Sequence, residues 1–311
     1  MGQQPIVFIV LLNWNRPQDT LDCIASLRKR PYHNSRIVVV DNGSIDDSVE
    51  RIRNAGGNLV LLESGTNLGF TGGNNLGMQY ALDNGADYIF VLNNDTLVVD
   101  DVIETMVGAA ESDSHIGIVT PKICFHPQCN LIWFGGAEFN SCSMTGRCVG
   151  YTQEDYGQFD AAQDVPWATG CAMLIRRSVI ESVGYFCDDY FAVFEDLDYC
   201  FRVVNRGYRI VYSPSAVVWH KESKSAGGRD APSYVYYQTR NLLVFQQRWS
   251  RNMVHLIASH CYAFLYFVKR AVWFVLQNKW RSVAGLCYGI RDGLAGKVGR
   301  REYAFLSVIR K

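Results

Sequence analysis

The sequence predicts an α/β fold in which a mostly parallel sheet is flanked by helices, with a C-terminal helical extension. Two observations support this prediction. Short apolar runs alternate with segments of helical periodicity through the first third of the 311-residue chain, and strands that alternate with helices form parallel sheets covered by those helices. Hydrophobic residues make up 48% of the chain, which excludes a mainly disordered protein.

The elements of the first third follow from the spacing of apolar residues. Short apolar runs without helical spacing predict the strands Ile6–Leu12, Ile37–Val40, Leu59–Leu62 and Tyr88–Leu92. Apolar residues at helical spacing predict the helices Asp19–Lys29, Asp47–Asn54 and Asn74–Asn84. Further along, the pattern predicts a helix over Leu197–Arg206 and short strands over Ile210–Tyr212 and Ala216–Trp219.

The C-terminal part of the chain contains two long helical patterns. The first covers residues 234–249, and the second covers Leu256–Gln277, where Lys269 and Arg270 interrupt the apolar run. A spanning helix needs about 20 mostly apolar residues and a charged pair inside it is costly, so a membrane span is not expected. Two interpretations stay open: a helix that lies in the membrane interface with its aromatic residues inward, or a core helix with a solvated basic face.

The formal net charge of zero hides an asymmetry between the two ends of the chain. Residues 240–311 hold 13 Lys and Arg and two acids, a net charge of +11, so residues 1–239 carry −11. This basic tail predicts an anionic membrane surface as a partner, and no nucleic-acid recognition motif is present. Without a secretory signal, and with scattered cysteines, the expected location is cytoplasmic, peripheral at the inner face of the cell membrane.

Polar residues follow the predicted strands at the points where the strands end. They form Asn13-Trp14-Asn15, Asp41-Asn42-Gly43-Ser44 and Asn93-Asn94-Asp95, and the third strand leads into a glycine-rich stretch over residues 65–73. Each stretch alone suits a turn, since Asn, Asp and Gly favour turns. Their repetition at one edge of a parallel sheet predicts a ligand cleft, because ligands bind at the carboxyl ends of such strands.

The glycine-rich stretch contains Gly65, Gly69, Gly72 and Gly73. Glycine lets a backbone approach a phosphate closely, and the N-terminus of the helix that follows favours an anion. The spacing matches neither the dinucleotide-binding pattern G-x-G-x-x-G nor the P-loop pattern. A nicotinamide-dependent oxidoreductase is therefore disfavoured.

A second group of polar residues lies beyond the middle of the chain. Glu195 and Asp196 stand near the start of the predicted helix Leu197–Arg206, after an aromatic stretch. They suit either a helix cap or a general base, because apolar rings raise the pKa of a neighbouring carboxyl group. His220 ends an apolar run; a lone histidine is more often structural, but its neutral imidazole could join Asp95 on a divalent ion.

These residues resemble the inverting glycosyltransferases of family 2, which have the GT-A fold. The motifs that carry the resemblance are VLLNWNRPQDTLDCIASL, IVVVDNGSIDDS, NLGFTGGNNLGMQYAL, YIFVLNNDT, ATGCAMLIRR, FEDLDYCFRVVNRGYRIVY and WH, in the family's order. Within the family, the chain is similar to the rhamnosyltransferase-like enzymes of bacterial surface polysaccharide assembly. The resemblance implies a GT-A domain over residues 1–245 and a basic, aromatic-rich helical extension over residues 246–311.

The family pattern implies a role for each matching residue. Residues Asn13, Asn15 and Asp41 would line the nucleotide base and ribose. Trp167 and Gly170 would border the sugar sites. The complete set of implied substrate-binding residues is Asn13, Asn15, Asp41, Asn67, Gly69, Gly73, Asn93, Asn94, Trp167, Gly170 and Glu195.

The stretch Asn93-Asn94-Asp95 occupies the place of the family's metal-binding D-x-D motif. The resemblance implies that Asp95 holds Mg²⁺ or Mn²⁺ against the donor diphosphate, with His220 as a second ligand. It also implies that Asp196 is the base that deprotonates the acceptor hydroxyl. Asn93 departs from the motif, and because an amide adds no charge to the ion, metal affinity should be modest until the diphosphate arrives.

The resemblance therefore implies a metal-dependent inverting glycosyltransferase. Its donor would be a nucleotide-diphosphate sugar, with dTDP-rhamnose expected first and a UDP-sugar second. Its acceptor would be a hydroxyl of a saccharide or lipid-linked saccharide in polysaccharide or O-antigen synthesis. The alternatives are a nucleotide-sugar-binding protein without turnover, against which the presence of both Asp95 and Asp196 argues, and the oxidoreductase already disfavoured.

Overall fold

The computed structural model describes residues 4–222 and 228–306. The chain divides into two compact units. The first unit contains the chain up to Glu138, Arg147–Phe186 and the described residues from Asp196 to 222. The second unit contains Phe139–Gly146, Cys187–Glu195 and the described residues from 228 onward.

The secondary structure confirms the α/β class. The strands are β1 (Val7–Asn13), β2 (Ser35–Asp41), β3 (Leu59–Glu63), β4 (Tyr88–Asn93), β5 (Thr96–Val98), β6 (Ile116–Phe125), β7 (Ile132–Phe134), β8 (Ala137–Asn140), β9 (Thr145–Cys148), β10 (Gln163–Asp164), β11 (Ala172–Arg176) and β12 (Arg209–His220). The helices are α1 (Pro17–Lys29), α2 (Ser48–Asn54), α3 (Gly69–Asp83), α4 (Val102–Glu111), α5 (Arg177–Val183), α6 (Glu195–Asn205), α7 (Pro232–Trp249), α8 (Met253–Leu276) and α9 (Trp280–Leu294).

The large sheet of the first unit has the strand order β10-β12-β6-β11-β4-β1-β2-β3. Strand β1 pairs in parallel with β2 and β4, and β2 pairs in parallel with β3. Strand β11 runs antiparallel between β4 and β6, while β12 runs parallel to β6. The sheet is therefore mixed but mostly parallel, as predicted.

The register of the strands places their polar ends side by side. Asn13, the last residue of β1, is opposite Asp41, the last residue of β2. Asn93, at the end of β4, is opposite Leu12 of β1. The short strand β5 follows at once and pairs with the end of β12, where Thr96 is opposite His220. The predicted convergence of the strand ends at one edge of the sheet is confirmed by this register.

Helix α3 differs from its prediction. The sequence predicts that it begins at Asn74, but it begins at Gly69, so that Gly73 belongs to the helix and not to a loop. A Cβ at Gly73 would lie 2.3 Å from Cδ1 of Leu12, and a Cβ at Gly77 would lie 2.4 Å from Cγ1 of Val10. Glycine at these two positions therefore lets the helix pack closely on β1. Periodicity misses this first turn because glycine carries no apolar side chain that would extend the pattern.

Strand β12 is a second correction. The sequence predicts two short strands, Ile210–Tyr212 and Ala216–Trp219, whereas the structure has one continuous strand. Its register with β6 shifts between Ser213 and Val217. A bulge of this kind takes up extra residues without ending the strand, so the polar interruption in the sequence is accommodated within one element.

The second unit is organised around α7, α8 and α9. Its apolar core consists of Val235, Leu242, Leu243, Ala263, Phe267, Phe274 and Leu286. Arg240 and Asn241 of α7 are fully buried and donate hydrogen bonds to backbone carbonyls of residues 189–193. In that segment Phe191 and Val193 have φ of 64° and 69°. Side chains with a Cβ rarely adopt this conformation, so the buried donors stabilise a strained backbone.

Helix α8 carries apolar residues on its buried side and on its exposed side. Its inner stripe, Ser259, Ala263, Phe267 and Phe274, is buried. Arg270 is half-buried and donates a hydrogen bond to Gln238 over 3.0 Å, so Lys269 is the exposed member of the charged pair. The outer face exposes a row of apolar residues, Val254, Ile257, Leu265, Val268, Val272, Val275 and Leu276. Within residues 4–222 and 228–306, no helix has the length and apolar character needed to cross a membrane.

Candidate active site

The ends of β1 and β2 hold a group of buried polar side chains. Nδ2 of Asn13 donates to Oδ1 of Asp41 over 2.9 Å and to Oγ of Ser44 over 3.1 Å. The other carboxylate oxygen of Asp41 accepts a hydrogen bond from the backbone N–H of Ser44 over 3.0 Å. Asn13 and Asp41 are 0% and 2% exposed. These bonds replace the water that both groups lose on burial and fix the orientation of the carboxylate.

Asn15 lies beside this group and ties two turns together. Its φ is 54°, in the left-handed region that asparagine tolerates better than most residues. Its backbone N–H donates to Oγ of Ser44 over 2.9 Å, and its Oδ1 accepts from the backbone N–H of Ile45 over 2.8 Å. The turn after β1 and the turn after β2 therefore form one structure.

Asn42 connects the end of β2 to the start of α3. Its Nδ2 donates to the carbonyl of Gly69 over 3.0 Å, and its Oδ1 accepts from the backbone N–H of Leu68 over 2.9 Å. Oδ1 of Asn67 accepts from the backbone N–H of Gly69 over 2.8 Å. Gly69 has a φ of 76°, which suits glycine. The predicted cleft residues Asn67 and Gly69 thus belong to the turn that starts the helix.

Thr20 of α1 joins the first two strand ends to the turn after β4. Its Oγ donates to Oδ1 of Asn13 over 2.8 Å and accepts from Nδ2 of Asn94 over 2.9 Å. Thr20 is fully buried. A connected set of hydrogen bonds therefore runs from Ser44 through Asp41, Asn13 and Thr20 to Asn94, and a satisfied buried network of this kind is rigid.

Asp95 and His220 meet at the end of this network. Oδ1 of Asp95 lies 3.2 Å from Nε2 of His220, and both side chains are buried. The backbone supports the pair, because the carbonyl of Asp95 accepts a hydrogen bond from the N–H of Lys221 over 2.9 Å. The structure therefore brings together the two residues proposed as metal ligands, which are far apart in the sequence.

The electrostatics around His220 favour a positive charge. Burial by itself would lower the pKa of its imidazole, but the neighbouring Cys171 and the Asp95 carboxylate outweigh burial, so the pKa is raised well above its ordinary value. The buried Nδ1 of His220 has no hydrogen-bond partner among the described residues. A cation at this position, either a proton or a metal ion, is therefore stabilised by its surroundings.

A divalent metal ion fits between these two side chains. Two ligand atoms that each lie about 2.1 Å from an ion, at right angles to one another, are about 3 Å apart, close to the separation of Oδ1 and Nε2. The described residues contain no group of three or more His, Cys, Asp or Glu side chains that could hold a metal. Asp95 and His220 would therefore supply two ligands, and the other positions would fall to a ligand's oxygens and to water.

Asp196 lies in the first turn of α6. Its Oδ2 accepts a hydrogen bond from the backbone N–H of Gly170 over 3.0 Å, and its Oδ1 accepts from the N–H of Leu197 over 2.8 Å. Burial raises the pKa of Asp196, although both backbone hydrogen bonds act in the opposite direction. A carboxylate with a raised pKa is a stronger proton acceptor once it is deprotonated.

Gly170 and Cys171 connect Asp196 to the turn after β4. The carbonyl of Cys171 accepts a hydrogen bond from the backbone N–H of Asn93 over 2.8 Å. A Cβ at Gly170 would lie 3.0 Å from the ring of Phe70 and 3.6 Å from Cβ of Asp196. Gly170 and Cys171 therefore connect Asp196, the candidate base, to the turn that carries Asp95. Because Gly170 has no Cβ, the ring of Phe70 can lie close to its backbone.

Trp167 and Glu195 occupy different surroundings from the residues above. Trp167 is buried, donates from Nε1 to the carbonyl of Glu138 over 3.0 Å and packs edge-on against Phe134, with the ring centroids 5.8 Å apart. Glu195 is buried as the first residue of α6. These contacts give Trp167 a packing role, and the sugar-site roles of both residues stay predictions.

An aromatic group lies next to His220 and is not predicted from the sequence. Trp133 of β7 packs edge-on against the His220 ring, with centroids 4.8 Å apart and the planes at 87°. Its Nε1 donates to Oε1 of Glu222 over 3.2 Å, and the hydroxyl of Tyr151 donates to the same oxygen over 3.4 Å. Because these three residues come from separate segments, no local pattern in the sequence groups them.

Asn42 and Ser44 belong to a polar strand end that the sequence predicts for the cleft, and the structure adds their hydrogen bonds to Asn13, Asn15 and Gly69. Thr20 carries no such signal, since a threonine inside a helix looks ordinary until the fold places it between Asn13 and Asn94.

Known proteins resemble this chain in sequence. It is 24% identical over 298 residues to the low-salt glycan biosynthesis hexosyltransferase Agl10 of Haloferax volcanii, which covers 94% of this chain and 92% of that protein. It is 23% identical over 224 residues to the poly-beta-1,6-N-acetyl-D-glucosamine synthase of Staphylococcus aureus, which covers 71% of this chain and 51% of the synthase. The chain thus spans nearly all of the first relative and about half of the second.

Solved structures share its fold. GalNAc-T7 with UDP, GalNAc and Mn²⁺ superposes with a TM-score of 0.63 at 17% identity, covering 79% of this chain and 49% of that one. The mannosyltransferase PcManGT from Pyrobaculum calidifontis, in complex with GDP-Man and Mn²⁺, superposes with a TM-score of 0.56 at 14% identity, covering 95% and 88%. The model of glycosyl transferase family 2 matches residues 8–184, more than half of the chain. The chain therefore belongs to glycosyl transferase family 2 and is a glycosyltransferase with the GT-A fold.

Proposed function

We propose that this glycosyltransferase is metal-dependent and inverting, and that it moves a sugar from a nucleotide-diphosphate donor to a hydroxyl of a saccharide or lipid-linked saccharide. The observation that carries the proposal is the Asp95–His220 pair, whose ligand atoms lie 3.2 Å apart at the polar edge of the sheet. A hydrogen-bonded polar network lies on one side of the pair, and Asp196 is connected to it through Gly170 and Cys171.

The network at the ends of β1 and β2 would bind the nucleotide. Asn13 and Asp41 are buried and bonded to one another and to Ser44, so they would fix the turns that line the base and the ribose, with Asn15 in the turn after β1. Asn67, Gly69, Gly73, Asn93 and Asn94 would border the cleft of the donor.

Asp95 and His220 would hold the divalent ion. When bound, the ion neutralises negative charge on the departing diphosphate. Both structural neighbours contain Mn²⁺. Mg²⁺ strongly prefers oxygen ligands, so an imidazole ligand favours Mn²⁺ over Mg²⁺ in this chain. Because Asn93 adds no charge, the site would gain most of its affinity from the diphosphate oxygens.

Asp196 would be the general base. Its raised pKa suits proton acceptance from a sugar hydroxyl, and a single base gives direct displacement with inversion at the sugar carbon. A retaining mechanism with a covalent intermediate would need a second carboxylate placed as a nucleophile. Glu195, next to this base, would contribute to substrate binding.

The names of two relatives support a role in glycan synthesis, because the Haloferax relative is named for glycan biosynthesis and the Staphylococcus relative for a polysaccharide synthase. We propose surface polysaccharide or O-antigen assembly as that role. We propose dTDP-rhamnose as the first donor to test, from the resemblance of the motifs, and UDP-sugars as the second.

A donor panel tests the proposed function. The full chain is incubated with dTDP-rhamnose, UDP-glucose, UDP-N-acetylglucosamine, UDP-N-acetylgalactosamine or GDP-mannose, with Mn²⁺, Mg²⁺ or EDTA, and release of nucleoside diphosphate is measured. Release from one donor that requires the metal, and is greater with Mn²⁺ than with Mg²⁺, is the expected result. Release that is unchanged by EDTA would contradict metal dependence.

We also propose that the chain associates peripherally with the inner face of the cell membrane through α8. The outer face of this helix exposes Leu265 and Leu276 at 68% and 73%, and α8 contains no acidic residue. Apolar side chains enter the acyl region while nearby Lys and Arg attract anionic headgroups. Sedimentation of the full chain with vesicles of anionic lipid, and much weaker sedimentation with neutral vesicles, is the expected result.

A further inference from the structure

We propose that Trp133, Tyr151 and Glu222 form a binding subsite for a pyranose ring next to the Asp95–His220 pair. The subsite deepens the proposed function, because it assigns residues to the sugar that this transferase handles. Neither the family motifs nor the polar strand ends include these three residues.

Glu222 supplies the polar part of the subsite. Its Oε1 accepts hydrogen bonds from Nε1 of Trp133 over 3.2 Å and from the hydroxyl of Tyr151 over 3.4 Å. Both donors meet Oε1, and a carboxylate has a second acceptor oxygen, Oε2, which would accept a hydrogen bond from a sugar hydroxyl. Glu222 also has a φ of 50°, a left-handed conformation that is unfavourable for a residue with a Cβ and is concentrated at functional sites.

Trp133 supplies the apolar part. Its neighbours in β7, Ile132 and Phe134, are fully buried, whereas Trp133 points to the opposite face and is half-buried. The Trp133 ring contacts the His220 ring on one side and lies 6.5 Å from the ring of Tyr151 at 70°. Two large rings are thus held at an angle, partly open, beside a carboxylate.

This combination matches the chemistry of a pyranose. One face of the sugar ring carries C–H groups that pack on an aromatic ring, and its edge carries hydroxyls that donate to a carboxylate. A nucleotide base would also stack on a tryptophan, but the polar network for the nucleotide lies at β1 and β2, which are four and five strands from β12 in the sheet order. Asp95 follows β4 and His220 ends β12. The subsite therefore lies on the side of the metal pair where the sugar of the substrate would follow the diphosphate.

The competing explanation is that Trp133 and Glu222 only hold the His220 ring in place. The two explanations make different predictions for isosteric variants. A supporting role predicts that Mn²⁺-dependent nucleotide binding falls together with any sugar binding. A pyranose subsite predicts that sugar binding falls by itself.

Two arms of one experiment identify the source of the sugar. In the acceptor arm, saturation-transfer NMR measures binding of the p-nitrophenyl glycosides of glucose, galactose, N-acetylglucosamine and rhamnose to the full chain with UDP and Mn²⁺. In the donor arm, thermal shifts compare UDP with UDP-glucose and UDP-N-acetylglucosamine, and dTDP with dTDP-rhamnose. A signal in the first arm assigns the subsite to the acceptor, and a sugar-dependent shift in the second assigns it to the donor.

Glu222→Gln and Tyr151→Phe keep the shape of their side chains, so they test the polar contacts without opening a cavity. Loss of a hydrogen bond to the carboxylate is expected to weaken sugar binding about tenfold in Glu222→Gln and less in Tyr151→Phe. Tyr156→Phe is the matched control, because Tyr156 is 81% exposed and lies outside the group. Trp133→Leu tests the stacking surface.

Sugar binding that falls in Glu222→Gln, with UDP and Mn²⁺ binding unchanged, supports the subsite. The proposal is overturned if both kinds of binding fall equally, if the variants bind sugar as the unaltered chain does, or if the unaltered chain shows no sugar dependence in either arm. Failure of the proposed function is separate, since it would appear as a chain that binds no nucleoside diphosphate in the presence of Mn²⁺.

Discussion

The strand ends of the first unit and helix α8 of the second unit depart from the usual distribution of residues in opposite ways. At the strand ends, polar groups are buried: Asn13, Asp41, Asp95 and His220 are each at most 6% exposed. On α8, apolar groups are exposed: of the twenty exposed large hydrophobic side chains within residues 4–222 and 228–306, twelve lie on this helix, from Met253 to Leu276. The buried polar groups are stabilised by hydrogen bonds to one another, whereas the exposed apolar face of α8 is unfavourable in water unless something binds to it.

The two regions differ in how specific they are. Asn13, Asp41 and Thr20 at the strand ends are held by directional hydrogen bonds of defined length, so changing one atom should matter there. The outer face of α8 offers apolar area, which is non-directional. Its function should therefore survive any change that keeps the area apolar and fail when the area becomes charged. The following predictions test this difference.

The largest effect is expected when a single oxygen of the Asp196 carboxylate is replaced by nitrogen. In Asp196→Asn the side chain keeps its shape but cannot accept a proton, so turnover should fall about a thousandfold while donor binding persists. Nucleoside diphosphate release and donor thermal shift measure the two quantities. Asp83→Asn, at the exposed end of α3, is the control and should leave turnover unchanged. Full turnover in Asp196→Asn would refute its assignment as the base.

The pH dependence gives a second readout of the same carboxyl group. Only the deprotonated form of Asp196 accepts a proton, and burial raises its pKa. Turnover should therefore rise with pH on the acid side, with its midpoint above about 3.9, the ordinary value for Asp. Asp196→Asn should lack this limb, and an unchanged acid limb in that variant would assign the titration to another group.

A smaller loss is expected at the candidate metal pair. Asp95→Asn removes the carboxylate charge from the site, so turnover should fall about a hundredfold and need a higher Mn²⁺ concentration. The counterpart Asn93→Asp adds a carboxylate to the same turn and should tighten Mn²⁺ binding in the absence of nucleotide. Titration calorimetry with and without UDP measures both effects. Tight Mn²⁺ binding by the unaltered chain without UDP would contradict the assignment.

Helix α8 should respond to polarity and not to shape. Leu265 and Val272 are exposed on its outer face. Replacing both with Glu should weaken sedimentation with anionic vesicles about a hundredfold, since burying each side chain is worth about 1.5–3 kcal/mol. Replacing both with Ile should leave sedimentation unchanged. Equal sedimentation of the Glu and Ile variants would show that α8 is not the contact.

The smallest effect is expected on the free energy of unfolding, through the packing of α3 on β1. A Cβ at Gly77 would meet Cγ1 of Val10 at 2.4 Å, whereas a Cβ at Gly108 of α4 would meet nothing within 4 Å. Gly77→Ala should lower the free energy of unfolding by about 1–3 kcal/mol through overpacking. Gly108→Ala should raise it by about 0.5–1 kcal/mol, because glycine inside a helix is unfavourable. Chemical denaturation measures both, and a stabilised Gly77→Ala would exclude the close contact.

Sequence patterns predicted the sheet and part of the site for a simple reason. Alternating strands and helices leave few topologies, and parallel strands bring their carboxyl ends to one edge. Asn13 and Asp41 each follow the end of a predicted strand, which places them at the same edge, and the structure adds that their strands are neighbours and that the two side chains are bonded. The period of the apolar residues does not predict the first turn of α3, because that turn contains glycines. It also divides β12 into two strands, because the register shift within β12 contains polar residues.

The sequence by itself determined the α/β class, the polar character of the strand ends, the apolar character of residues 256–277 and the basic charge of the tail, because these depend on composition and local spacing. Only the tertiary structure decided which distant residues meet. It places Thr20 between Asn13 and Asn94 and brings Trp133 to Glu222. The family resemblance already implies that Asp95 and His220 meet, and the structure gives the distance between them, 3.2 Å. The tertiary structure also decided which side of α8 is buried. Strand order and helix packing set these contacts, and neither is encoded in the period of the apolar residues.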